Sequence, residues 1–179
     1  MLNSVYPFEF YGDGRWNEKK SIASIGFLVK DGSNIIFGRG GEVVNLNFPS
    51  VITAECRALY EIVMKYVPYY CSKNFSKSYE SGRKVVIKTD NKDIYKFLNG
   101  QKPRKQSGET EEILFYLSRI RDVKKDYDIR FKRISSQENL AHEMCVNAER
   151  EKLDKFSKKK AQKEDKRSYY RLSLIRNFL

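Results

Sequence analysis

The sequence predicts a mixed α/β fold, with three antiparallel strands followed by parallel strands in one sheet flanked by helices. Three observations predict it. A hairpin signal, Asp31-Gly32, joins two strand-like runs near the N-terminus. The segment after Pro49-Ser50 repeats apolar residues at helical spacing. The run Val85-Val86-Ile87 is short and continuously apolar, as in a strand buried on both faces.

Residues 5–12 (VYPFEFYG) alternate aromatic with other residues and read as a first strand ending at a turn, Asp13-Gly14. Residues 22–30 (IASIGFLVK) form the second strand, and Asn34–Arg39 returns as the third. Gly40-Gly41 should then break or bend the chain, with Glu42–Asn47 extending or restarting the strand. Ser50 is a good N-cap for VITAECRALYEIVMKYV, in which Ile52, Cys56, Leu59, Val63 and Val67 make a buried stripe. Glu55 lies at the edge of that stripe. Residues 69–83 read as a polar connection. The buried strand ends at Thr89-Asp90, and a short helix, Asn91–Leu98, follows. Asn99–Gly108 is a basic loop, and Glu109–Val123 is a helix with Ile113, Leu117 and Ile120 on one face. Ile129, Phe131 and Ile134 mark the last strand, before Ser135–Glu138. A helix then starts at Asn139 and runs on toward the C-terminus. The order is β-β-β-α-β-α-α-β-α, without an internal repeat.

A chain of 179 residues with 40% apolar content is long enough for one domain with its own core. Residues 1–150 read as that domain and residues 151–179 as a basic, helical C-terminal tail. No run approaches the roughly 18 apolar residues that a membrane span needs, and MLNSVYPFEF reads as a strand rather than an export signal. The expectation is a soluble, cytoplasmic protein with no membrane partner. Cys56, Cys71 and Cys145 form an odd set without metal-ligand spacing, which argues against a disulfide framework and a zinc site. With a single His, any metal site must be built mainly from oxygen, which suits Mg²⁺ or Mn²⁺.

Net charge is +12, from 35 basic and 23 acidic residues. From Arg150 to Leu179 there are 11 Lys and Arg against 4 Asp and Glu, a net +7, so more than half the excess lies in the last 30 residues. A polyanion is the natural partner, and nucleic acid ranks first.

Three acids stand where chemistry is favoured. Asp13 is read at the end of the first strand, Asp90 at the end of the buried strand, and Glu55 on the helix between them. Sites in open α/β sheets gather beyond the carboxyl ends of strands where the strand order reverses. Left empty, such a cluster suffers mutual repulsion and raised pKa values. Two divalent cations about 3.5–4 Å apart would relieve it and serve an in-line displacement at phosphorus. Each acid alone also has an ordinary reading: Asp90 as a helix cap, Asp13-Gly14 as a turn, Glu55 as a solvated helix residue.

The segments FYGDG around Asp13, TAECRAL around Glu55, IKTDN around Asp90 and QENLAHEM around His142 resemble, in order, the four motifs of type 1 ribonuclease H. GFLVKDGSNIIFGRGG is similar to that family's second and third strands, and the resemblance spans roughly residues 7–148. It implies a ribonuclease-H-like five-stranded mixed sheet and a two-metal endonuclease using Mg²⁺ or Mn²⁺. The substrate implied is the RNA strand of an RNA/DNA hybrid, cut to 5′-phosphate and 3′-hydroxyl ends. Asp13, Glu55, Asp90 and His142 would be the catalytic and metal-holding residues.

The sequence departs from the family at His142, where the pattern usually has Asp; Asn139 matches the family's Asn. On a helix, residues three apart share a side, so Asn139 and His142 would both face the site. An imidazole there could ligate Mn²⁺ better than Mg²⁺, or shuttle a proton. Gly14, Arg15 and Asn91 flank the acids where family members touch substrate. Lys102, Arg104 and Lys105 fall where some members insert a basic handle. Ser50 could meet a phosphate at its helix N-terminus. The tail has no counterpart in the resemblance; nucleic acid ranks first as its partner, docking on the domain or a protein second, a membrane third. Two alternatives stay open: a nucleic-acid-binding module with weak or lost chemistry, and a DNA-directed nuclease of the same superfamily.

Overall fold

The computed structural model describes residues 8–32, 35–72, 85–101, 108–124 and 126–176. Five strands form one sheet in the order β3-β2-β1-β4-β5. β1 (Phe8–Asn17), β2 (Ile22–Asp31) and β3 (Ile35–Val44) are antiparallel neighbours, while β4 (Val85–Thr89) and β5 (Ile129–Arg133) run parallel to β1. Helices α1 (Val51–Glu61), α2 (Val67–Ser72), α3 (Lys92–Leu98), α4 (Gly108–Val123) and α5 (His142–Arg176) complete the fold. This is the expected mixed architecture.

The period-2 alternation of strands sorts side chains onto two faces. Phe8 and Phe10 of β1, Val85 and Ile87 of β4 and Ile129 of β5 are fully or almost fully buried. They meet Cys56 and Leu59 of α1, Leu98 of α3 and Ile113, Leu117 and Ile120 of α4 in the main core. On the opposite face Tyr11, Leu28 and Ala141 form a smaller cluster, with Ile134 packed against it. α5 lies on that second face, against β1, β2 and β3.

Several sequence expectations are corrected. β1 does not end at Asp13 but runs to Asn17, with Asp13 paired opposite Gly26. Gly14 is there for space rather than for a turn, because a Cβ would lie 2.1 Å from the backbone N of Glu55. β3 likewise runs through Gly40-Gly41 without breaking. There a Cβ on Gly41 would lie 2.2 Å from the carbonyl O of Met144, so Gly41 lets α5 come close, while Gly40 faces the Phe27 ring. The irregularity of this hairpin sits instead between Val29 and Lys30, where the register shifts.

The helix read over residues 51–67 is longer and interrupted. A π-helical turn, Ile62–Tyr66, separates α1 from α2, which continues to Ser72 inside the segment expected to be a polar connection. Pro68 explains the interruption: without an N–H it cannot extend the regular ladder, and the turn before it widens. The stripe still holds, since Cys56, Leu59, Val63 and Val67 are all buried. Asn139 precedes α5 rather than opening it: its backbone is extended, and the helix starts at His142. Among the described residues, no helix is long and apolar enough to cross a membrane.

Candidate active site

The sheet register brings two of the acids together. β1 and β4 pair in parallel from Phe8↔Val85 to Tyr11↔Lys88, and two further steps of that register bring Asp13 level with Asp90. β4 ends at Thr89, so the two chains part where these carboxylates stand. Asp13 is therefore inside its own strand yet beyond its β4 partner, which is the sense in which it occupies a strand end. At 6% exposure it is one of the few buried acids.

Glu55 reaches the same place from above β1. Ser50 caps α1 by accepting the Thr53 N–H at 3.1 Å, which sets where the helix begins. The loop leading into it is pinned by buried Glu112 of α4, whose carboxylate accepts the N–H groups of Asn47 at 3.3 Å and Phe48 at 2.7 Å. Gly14 then lets α1 settle directly on β1 at Glu55. Asp90 is not the cap of α3. Asn91 takes that role, its Oδ1 accepting the N–H groups of Asp93 at 2.9 Å and Ile94 at 3.1 Å, and its side chain also bonds Glu55.

Asn139 and His142 close the site from the α5 side. The Asn139 Nδ2 donates to the carbonyl of Gly12 at 3.1 Å and to Asp90 Oδ1 at 3.0 Å, while its Oδ1 accepts the Ala141 N–H at 3.3 Å. One buried amide thus ties β1, the end of β4 and the start of α5 together. His142 Nδ1 lies 2.9 Å from Asp13 Oδ2, with its side chain 62% exposed. Below it the Cys145 thiol donates to the Asp13 carbonyl at 3.1 Å, and burial pushes that thiol far up, so it stays protonated.

The electrostatics are those of carboxylates held together. Glu55 is pushed from an ordinary 4.5 up to about 8, first by burial, then by the charges of Asp90 and Asp13, against a partly offsetting bond from Asn91. Asp13 is also raised, by burial first; the His142 bond opposes this and the Asp90 charge adds to it. Between pH 4.5 and 8 the folded chain keeps a proton on Glu55 that the unfolded chain has lost, so stability falls as the pH rises through this window. Thermal melts of cation-free protein from acid to alkaline pH should show that fall, and Glu55→Gln should flatten it.

A divalent cation fits this donor set. Glu55 Oε2 is buried without a hydrogen-bond partner, and both raised carboxylates would be relieved by positive charge. Among the described residues, however, no three His, Cys, Asp or Glu side chains already stand as a closed ligand cage. The acids lie within electrostatic reach of one another without converging on one point.

The structure gathers Asp13, Glu55, Asp90, Asn139 and His142, and places Asn91 beside Glu55. It sends Arg15 elsewhere, to an ion pair with Glu149 of α5 at 3.0 Å. Gly14 is consumed by the packing of α1, and the Ser50 hydroxyl by its cap. Lys102, Arg104 and Lys105 lie outside the described residues. Sequence reasoning missed Glu149, which is buried and also bonds Asn17 at 2.6 Å and Lys20 at 3.5 Å, pinning α5 to the end of β1. Its signal was an acid one position past Ala148 on the buried side of that helix.

No protein-family model and no curated relative matches the sequence. Solved structures do. A ribonuclease H1 of the halophilic archaeon Halobacterium salinarum is 16% identical, with a TM-score of 0.63 over 81% of this chain and 98% of that one. A ribonuclease H1 isolated from compost by a metagenomic approach, solved in complex with an RNA/DNA hybrid, is 17% identical, with a TM-score of 0.65 over 82% and 99%. The N-terminal ribonuclease H domain of a Mycobacterium tuberculosis protein is 13% identical, with a TM-score of 0.60 over 82% and 98%. With the strand order above, these likenesses show that the chain has the ribonuclease-H-like fold.

Proposed function

We propose that this protein is a divalent-metal-dependent endonuclease that hydrolyses the RNA strand of RNA/DNA hybrids, leaving 5′-phosphate and 3′-hydroxyl ends. The observation that carries the reading is that Asp13, Glu55 and Asp90 lie within electrostatic reach of one another. They come from a strand, a helix and a strand end far apart in the chain, and Glu55 and Asp13 hold protons too tightly for ordinary carboxylates. Such an arrangement has a cost unless it binds cations. The fold supports it, since a compost ribonuclease H1 of the same fold has been solved with an RNA/DNA hybrid.

Asp13, Glu55 and Asp90 would hold two Mg²⁺ or Mn²⁺ ions. When bound, such ions lower the pKa of water and stabilise the leaving oxygen of an in-line displacement. Asn139 keeps Asp90 aimed by its Nδ2 and fixes the Gly12 backbone beside Asp13. His142 hydrogen-bonds Asp13 with an otherwise exposed ring, so it can carry a proton between the site and solvent. Asn91 and Asn139 stand beside the acids, and with Lys102, Arg104 and Lys105 they are assigned to substrate, while Ser50 is left to its cap. The catalytic unit is read as residues 1–150, because no described side chain after Glu149 is buried.

The test is a cleavage assay on labelled RNA/DNA hybrid, duplex RNA and duplex DNA, with Mg²⁺ or Mn²⁺ and with EDTA. Cutting of the RNA strand of the hybrid alone, lost in EDTA, is expected; equal cutting of duplex DNA would favour a DNA-directed nuclease. The exposed His142 in place of an acid, and the unclosed ligand set, favour one second reading, a binding module of weak chemistry. Hybrid binding without products in either metal would establish it.

A further inference from the structure

α5 does not stop where the sheet does. Its first turns bury Cys145 and Ala148, with Ala141 just ahead of them, against the second face of the sheet, and Glu149 anchors it to β1 and to the turn that follows. Beyond Glu149 the helix continues to Arg176 with Lys152, Lys155, Lys158, Lys159 and Lys163 exposed.

The charges of this extension are sorted by helix phase. At 100° per residue, Lys152, Lys155, Lys159 and Lys163 fall within roughly 80° of arc. That arc is the one that Ala141, Cys145 and Ala148 occupy two turns earlier, so the stripe that packs on the sheet turns cationic once past it. Glu151 and Asp154, both exposed, lie outside the arc. Phe156, 55% exposed, borders it, with Lys152 Nζ 5.2 Å from its ring centroid. Lys19 and Lys20 are exposed in the turn where the helix leaves the sheet, and Lys20 is bonded to Glu149. The stripe begins about 15 Å along the helix from His142 and reaches Lys163 at about 32 Å.

We propose that the lysine stripe of α5, with the Lys19–Lys20 turn at its root, binds the sugar-phosphate backbone of nucleic acid at a distance from the carboxylate site. A row of ammonium groups along a rigid helix, free of carboxylates, complements a row of phosphates. Phe156 offers a flat apolar contact beside them. A membrane surface is the weaker match, because a helix lying in an interface needs a continuous apolar face. Among the described side chains beyond Glu149, only Leu153 and Phe156 are large and apolar.

Binding is measured by fluorescence anisotropy on the full chain with labelled RNA/DNA hybrid, in EDTA, over a salt titration. Without divalent cations no cleavage enters, so the outcome does not depend on the nuclease reading. Two variants remove equal charge: Lys152→Gln with Lys159→Gln on the stripe, and Arg150→Gln with Lys158→Gln off it. The stripe pair is expected to lower the slope of log affinity against log salt by roughly 2 and to weaken binding about tenfold at low salt. The off-stripe pair should leave the slope nearly unchanged, and circular dichroism should show the same helix content in both. Equal effects of the two pairs, or no salt-dependent binding by the full chain, would overturn the proposal. So would a stripe pair that keeps its hybrid affinity while losing adsorption to phosphatidylserine vesicles.

Discussion

Gly14→Ala should destabilise the protein by about 3 kcal/mol or more, a fall in melting temperature of roughly 6–12 °C for a chain of this size. The added methyl would meet backbone, not the yielding end of a side chain: Glu55 N at 2.1 Å, the Ala54 carbonyl carbon at 2.2 Å and its oxygen at 2.5 Å. Those atoms belong to a capped helix whose buried face, Cys56 and Leu59, is locked in the main core. Relief therefore requires α1 to move off β1 as a body, opening space around the core. Gly40→Ala is the control, since its methyl would meet the tip of the Phe27 ring at 2.8 Å, the far end of a side chain that can swing aside. That substitution should cost distinctly less, even though the ring stacks on Tyr66 at 4.1 Å. Because Glu55 rides on α1, Gly14→Ala should also lose cation-dependent thermal stabilisation. Differential scanning calorimetry with and without Mn²⁺ reads both effects. A variant that melts like the parent would mean that α1 does not sit on Gly14.

The glycines also show why the fold was legible while its details were not. Strand and helix order followed from periodicity, which burial enforces locally: alternation in β2, the stripe of α1, the apolar run of β4. Asp13-Gly14 read as a turn and Gly40-Gly41 as a break or bend because a glycine carries no record of what passes over it. Only the tertiary approach of α1 to Gly14 and of α5 to Gly41 reveals that both pairs lie within continuous strands. Asp90 as a possible cap had the same ambiguity, resolved when Asn91 took both N–H groups. The acids were legible as a set because their segments resembled a known motif order. Glu149 was not, because its partners Arg15, Asn17 and Lys20 lie over a hundred residues away and no local pattern announces an ion pair of that span.

Asp13→Asn and Asp90→Asn should each lower cleavage of the hybrid by roughly 10²–10³-fold or more, the size expected when one element of preorganised electrostatic stabilisation is removed. Neither should unfold the protein. An amide at position 13 keeps a polar group facing His142, and an amide oxygen at position 90 can still accept from Asn139 Nδ2. The cation-free stability should instead hold or rise at alkaline pH. The Asp13 and Asp90 charges both push Glu55 up, so removing either lets Glu55 ionise at less cost. Activity and stability then move in opposite directions, as they do where a strained site serves function rather than folding. In the same variants Mn²⁺ should no longer raise the melting temperature, because a ligand stabilises only the state that binds it. Paired measurements of cleavage and melting at pH 8 decide the matter. If the variants still cut, or if they melt far below the parent with hydrogen bonds to His142 and Asn139 intact, these carboxylates serve the fold and the catalytic assignment is lost.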